Sequence, residues 1–147
     1  MTDVLGEKRF RAAQIFQWIH RHRARQFDAM TNLPASLRDQ LGAEHAIRSL
    51  TLDDVRVAAD GTRKLLFRTA DGHAVESVVI PMNGRLTQCV SSQVGCKIGC
   101  DFCLTARMKV RKNLTSGEIV DQVYHAQALL EEGERIHNLV YMGTETI

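Results

Sequence analysis

Residues 86–103 read LTQCVSSQVGCKIGCDFC, and the reading of this stretch decides how the rest of the chain is understood. Its first part, Leu86 to Ser92, has the composition of a strand. Its second part is a polar loop carrying Cys96, Cys100 and Cys103, three cysteines within eight residues. Thiols this crowded do not make a disulfide framework. They point to a metal or redox site in a reducing compartment. Gly95 and Gly99 relax the backbone so that the loop can wrap. Most [4Fe–4S] clusters take four cysteines. Three leave one iron with an open coordination position, the same feature that separates catalytic from structural zinc. A structural zinc site, completed by Cys89 or a histidine, stays open as the alternative, because both metals favour thiolates. A loop leaving the C-terminal end of a strand is where α/β barrels place their chemistry.

Downstream, Thr115-Ser116-Gly117-Glu118 fits a capping box. Ile119, Val120, Val123, Ala126, Leu129 and Leu130 then form one apolar helical face. Asn138 to Met142 reads as a second strand. Strand, helix, strand is a βαβ unit, right-handed with parallel strands. One such unit neither closes a barrel nor covers its own edges, so residues 85–147 read as the start of a barrel, cut short.

Upstream, residues 49–84 change period. Leu50, Leu52, Val55 and Val57 come first, then a turn at Asp60-Gly61. Leu65, Leu66 and Phe67 follow, then a second turn at Asp71-Gly72. Val75, Val78, Val79 and Ile80 run to Pro81. Two Asp-Gly pairs between apolar runs predict a three-stranded antiparallel meander. Residues 1–48 read as helical. Phe10 to His22 places Ala12, Ile15, Phe16 and Ile19 at helical spacing. Leu33, Leu37 and Leu41 repeat behind Pro34, which suits a first helical turn. The fold class is therefore α/β, in three parts with boundaries near residues 48 and 84.

Composition sets the outer bounds. The chain has 147 residues, 44% apolar and 24% charged, with a net charge of +2. These values suit a globular protein with one real core. The charge is unevenly spread. Residues 1–25 hold Lys8, Arg9, Arg11, Arg21, Arg23 and Arg25 against Asp3 and Glu7. Residues 97–112 hold Lys97, Arg107, Lys109, Arg111 and Lys112 against Asp101. Two basic stretches suit an RNA-facing surface; two solvated faces are the plainer explanation. Trp18 and Phe16 are able to stack on bases, with core packing the default expectation for both. There is no signal-peptide apolar region and no apolar run near the roughly 18 residues of a membrane span. The expectation is a cytoplasmic protein with no membrane partner.

Several stretches together resemble one family. They are residues 6–20 (GEKRFRAAQIFQWIH), 30–41 (MTNLPASLRDQL), 60–67 (DGTRKLLF), 76–82 (ESVVIPM), 89–103 (CVSSQVGCKIGCDFC) and 111–123 (RKNLTSGEIVDQV). They are similar to the bacterial radical S-adenosyl-L-methionine (SAM) methyltransferases that modify C2 of adenine in RNA. The aromatic Phe102 before Cys103 completes the radical SAM signature. The resemblance implies a helical N-terminal domain, a small β extension and a partial (β/α)6 barrel. It implies a [4Fe–4S] cluster on Cys96, Cys100 and Cys103, with SAM on the open iron. Phe102 and Gly143 would adjoin these cofactors, and an external donor of the flavodoxin type would supply electrons. It implies 23S rRNA and tRNA as substrates, methylated through a methyl-cysteine intermediate carried by a cysteine later in the barrel. Two further roles carry over. Cys89 matches the cysteine whose disulfide releases the product, and Glu76 matches the proton acceptor. The pattern breaks after Met142-Gly143-Thr144, where the family has Gly-Glu-Pro and this chain has Glu145-Thr146-Ile147. A truncated or shifted reading frame explains that break, and implies a chain that does not turn over. The competing assignments are a sister family that methylates C8 of adenine, and a non-catalytic zinc-binding RNA module.

Overall fold

The computed structural model describes residues 7–96, 100–103, 105 and 110–142. The chain divides into two compact units, Met1–Arg48 and Ser49–Ile147.

In the first unit, helix α1 spans Arg9–His20, a 3-10 turn spans Phe27–Ala29, and helix α2 spans Ala35–Glu44. Pro34 precedes α2, where its missing N–H costs nothing. Leu37 and Leu41 lie one turn apart and share a face. They pack with Ile15, Ala24, Phe27, Met30 and Leu33 in one buried cluster, flanked by Trp18, Ile19 and Ile47. The Trp18 indole N–H donates to Asn32 Oδ1 at 2.6 Å. Phe16 departs from the sequence reading. It is 62% exposed, because the inward stripe of α1 runs through Ile15, Trp18 and Ile19. Residue 16 lies about 100° round the helix from residue 15.

The second unit is built on one five-stranded sheet, ordered β1-β2-β3-β4-β7. Its strands are β1 (Leu50–Val57), β2 (Arg63–Thr69), β3 (Ala74–Met82), β4 (Arg85–Ser91) and β7 (Ile136–Met142). The first four strands pair antiparallel in sequence order, and β4 pairs parallel with β7. The meander and the βαβ unit thus share one sheet. They are joined by a hairpin that the sequence reading passed over. Asn83 and Gly84 have φ of 51° and 72°, and Met82 pairs with Arg85 around them. Two residues in the left-handed region make the tight turn whose twist matches the strands.

Helix α3 (Ser116–Ala128) crosses from β4 to β7 over one sheet face. That face supplies Leu65, Phe67, Val75 and Val79 to a core that also takes Leu50, Val94, Leu114 and Ala126. The apolar face expected for α3 holds in part: Ala126 lies in the core and Ile119 packs against it. Val120 and Leu129 are 40% and 39% exposed, while Glu118, Asp121 and Gln122 are buried beside Ala126. Each buried polar side chain has a backbone partner, which is what makes its burial affordable. Asp121 Oδ2 accepts from the N–H groups of Ser49 and Leu50 at 2.8 and 2.9 Å. Gln122 donates to Ser91 O at 2.9 Å and accepts from Ser91 N–H at 3.0 Å. Gln88 Nε2 donates to Gln122 O at 3.0 Å and to Ser77 Oγ at 2.9 Å.

Phe67 is fully enclosed, whereas Val57 is 65% exposed. Phe67→Ala is expected to cost about 3–5 kcal/mol, and Val57→Ala to stay within about 0.5 kcal/mol. Urea unfolding followed by circular dichroism checks both; equal losses would mean that the core has been misplaced.

Candidate functional site

The site begins where β4 ends. After Ser91 the chain turns into β5 (Gln93–Val94), which pairs antiparallel with β6 (Lys112–Asn113). This short ribbon closes the mouth of the cysteine loop. Arg111 N–H donates to Val94 O at 2.9 Å, and Leu114 N–H to Ser92 O at 2.8 Å. Gln93 Nε2 donates to Asn113 Oδ1 at 2.7 Å. Val94 and Leu114 anchor both feet in the core. Gly95, at φ +83°, takes the left-handed turn into the loop.

Cys96, Cys100 and Cys103 are half-buried and joined in no disulfide. The Cys103 N–H donates to Cys100 O at 3.1 Å. Phe102 stands 93% exposed. Lys97, Ile98, Gly99, Arg107, Lys109 and Gly143 lie outside the described residues. As a donor set, three cysteines on one loop fit a thiolate-ligated iron–sulfur cluster. They are not a preformed cage: among the described residues, no three His, Cys, Asp or Glu side chains are gathered to hold a metal ion.

Cys89 and Glu76 lie on the sheet face opposite α3. Cys89 pairs with Val78, and Glu76 is two residues along β3 on the same side. That makes them diagonal neighbours, roughly 7–8 Å apart. Cys89 is 8% exposed, and burial pushes its thiol above the ordinary value. It is a free thiol, so the disulfide expected from resemblance is not formed. The chain's other cysteines all lie on the loop beyond β5, away from Cys89 in the middle of β4. Glu76 is exposed and pairs with Lys64 at 2.7 Å. Both line a shallow cleft of about 120 Å³ with Asp54, Arg56 and Leu66. An exposed pair of this kind contributes about 0–1 kcal/mol.

One cluster escaped the sequence reading. Lys112 Nζ lies 3.0 Å from Asp71 Oδ2 and 2.9 Å from Glu118 Oε1. Glu118 Oε2 also accepts from Thr115 N–H at 2.8 Å, completing the predicted capping box. Hydrogen bonds to Glu118 and then Asp71 hold the Lys112 ammonium above its ordinary value. The Thr69 hydroxyl, then Lys112, lowers Asp71 to about 2. Burial works to raise the Glu118 carboxyl, but the bonds from Thr115 and Lys112 outweigh it and hold the group below its ordinary value. The signal available beforehand was the capping box, which placed Glu118 six residues after a lysine.

In the first unit, α1 and the turn after it expose a basic surface. Residues 8–27 contain no acidic side chain. Arg9, Arg21, Arg23 and Arg25 are exposed, with Phe10 at 50% and Phe16 at 62%. The Phe16 and His20 rings lie 4.1 Å apart, and the Arg11 guanidinium sits 4.8 Å over the Phe10 ring. No described helix is long and apolar enough to cross a membrane.

Comparison with known proteins bears on both units. Residues 2–47 match the family described as the ribosomal RNA large subunit methyltransferase N-terminal domain. The chain is 49% identical over 138 residues to the dual-specificity RNA methyltransferase RlmN of Geotalea uraniireducens, covering 94% of this chain and 39% of that protein. It is 50% identical over 144 residues to the protein of the same name from Halorhodospira halophila, again 39% of the relative. The crystal structure of a radical SAM methyltransferase from Sphaerobacter thermophilus superposes with a TM-score of 0.85 at 43% identity. The match covers 94% of this chain and 41% of that one. The chain thus spans about two-fifths of the length of the relatives it matches.

The ion triad makes a pH prediction. Asp71 falls from 3.8 to about 2 and Glu118 lies below 4.5, so their contributions are complete above those ordinary values and are lost as pH falls through the lowered ones. Lys112 is raised from 10.5, so its contribution is complete below that value and is lost as pH rises past the raised one. Exchange protection of the Lys112 and Leu114 amides, corrected for intrinsic rates, is expected to be flat in between and to fall as pH drops from about 4 toward 2. Asp71→Asn should blunt that acid limb; an unchanged limb would exclude Asp71 as its source.

Proposed function

We propose that this chain, whose residues 2–47 match the large-subunit rRNA methyltransferase N-terminal domain, belongs to a radical SAM enzyme methylating C2 of an adenine in 23S rRNA and in tRNA. The observation that carries this reading is the cysteine loop. Three cysteines in no disulfide sit on one loop at the C-terminal end of β4, in a chain 43% identical to a radical SAM methyltransferase of known structure. In this reading β4, α3 and β7 are the first βαβ unit of a partial (β/α)6 barrel, in a cytoplasmic protein.

In the proposed site, Cys96, Cys100 and Cys103 would hold a [4Fe–4S] cluster, and Phe102 would adjoin the bound SAM. Such a cluster supplies, from an external flavodoxin-type donor, the electron that cleaves SAM at its open iron. The chemistry is suited to a carbon that is too electron-poor to attack a methyl group directly. Cys89 and Glu76 share the open sheet face. Burial keeps the Cys89 thiol protonated, which suits a thiol held in reserve for a late disulfide step. Glu76, paired with Lys64, would take up a proton from the substrate carbon.

The RNA contact is assigned to α1 and the turn after it. Arg9, Arg21, Arg23 and Arg25 offer charges to phosphates, and exposed Phe16, backed by His20, offers a stacking platform for an unpaired base.

Two experiments test this. Anaerobic iron–sulfur reconstitution of the 147-residue chain should give a [4Fe–4S]⁺ EPR signal that changes when SAM is added; a colourless protein with one bound zinc would replace this reading with a structural zinc module. RNA binding measured against salt separates the two contact types. Phe16→Ala should lower affinity by about 1–3 kcal/mol with the salt slope unchanged. Arg23→Gln should reduce the slope by about 1. Unchanged binding in both variants would remove α1 from the RNA interface.

A further inference from the structure

The cysteine loop presents a mechanical problem. It spans residues 95–111 of the sequence, and among the described residues its one ladder is the ribbon β5–β6, with two residue pairs, Gln93↔Asn113 and Val94↔Lys112. An isolated two-stranded ribbon is marginal even at greater length. The three thiols are not gathered beforehand, so a metal centre must draw them together and bear the ordering cost. That cost falls if the mouth of the loop is already fixed.

Both feet are held from outside the ribbon. On the entry side, Gln122 bonds the N–H and C=O of Ser91. On the exit side the only charged anchor among the described residues is Lys112, whose side chain is 25% exposed. Its ammonium ties β6 to two separate elements. Asp71 lies in the turn between β2 and β3, and Glu118 in the first turn of α3. The Glu118 side chain is only 7% exposed and is already fixed by Thr115. This is not an ordinary surface ion pair, because one partner is buried and the cation is shared.

We propose that Lys112 is a positioning residue for the cysteine loop: clamped between Asp71 and Glu118, it fixes the loop's exit so that Cys96, Cys100 and Cys103 close on one metal centre. The inference rests on the cluster reading above for what the loop holds, and on geometry alone for the clamp. It assigns Lys112, which composition counts merely as one basic residue near an RNA surface, an intramolecular role.

The test compares Lys112→Met, Lys112→Arg and Asp71→Asn with the unaltered 147-residue chain in two assays. In the metal-free protein, maleimide alkylation of each cysteine is followed by mass spectrometry. Lys112→Met should speed modification of Cys96, Cys100 and Cys103 several-fold while leaving Cys89 unchanged, and Lys112→Arg should restore the slow rates. In anaerobic reconstitution with iron and sulfide, Lys112→Met should weaken iron retention against a chelator by about 10–100-fold, the range for removing a group that orients metal ligands. The same variant should broaden the EPR signal, and Lys112→Arg should again restore it. Asp71→Asn, at an exposed carboxylate in the turn between β2 and β3, should move both readouts in the same direction by less. Unaltered loop-thiol rates in both Lys112→Met and Asp71→Asn overturn the clamp. If the unaltered chain takes up no iron, the cluster reading fails for this chain, and the thiol rates alone decide the clamp.

Discussion

The arrangement of the second unit depends on one side chain, the Gln122 amide. It pairs with both backbone groups of Ser91, as a neighbouring strand would, while the backbone carbonyl of Gln122 accepts from the Gln88 amide. The last residue of β4 therefore has its hydrogen-bonding capacity met by the helix that follows the loop. Entry to and exit from the cysteine loop are set by the same helix. Glu118, one turn earlier, caps α3 and holds Lys112. Asp121 satisfies the amides of Ser49 and Leu50, where β1 begins. A polar helix face is thus used as a jig. Its hydrogen bonds fix position more sharply than apolar packing, which is non-directional.

This division of labour separates the two faces of the sheet. The face toward α3 carries the enclosed core of Leu65, Phe67, Val75 and Val79. The other carries Glu76, Cys89 and the cleft beside Lys64. Because strand side chains alternate, a register that buries Val75, Ser77 and Val79 obliges Glu76 and Val78 to face the other way. Cys89 follows through its pairing with Val78. Burial of the core thereby brings two sequence-distant groups of the proposed site onto one surface. The cysteine loop leaves from the end of β4, the same strand that carries Cys89.

Much of this was legible beforehand, for local reasons. The Asp-Gly turns appear with Gly61 and Gly72 at φ of 82° and 84°. The capping box closes as its spacing requires, and the leucines of α2 are buried. The parallel pairing of β4 and β7 follows from the strand–helix–strand order. Asn83-Gly84 was equally legible as a turn and was passed over, although it joins the meander to the rest of the sheet. Phe16 was misplaced because helical spacing alone does not say which of two adjacent apolar residues faces inward. The face of α3 is legible only in part, for a deeper reason. Gln122 and Asp121 look solvent-facing in sequence, and their burial is stabilised by backbone groups of Ser91, Ser49 and Leu50, which are remote along the chain.

The sequence by itself determined the element types, the turns, the three thiols on a short loop and the family resemblance. Each of these rests on residues close together in the chain, where spacing and local backbone preference decide. Only the tertiary structure decided which face of α3 is buried, that Glu76 and Cys89 share a surface, and that Lys112 joins Asp71 to Glu118. Those outcomes depend on hydrogen bonds and ion pairs between residues up to 72 positions apart, and no local pattern encodes which distant backbone group will satisfy a polar side chain.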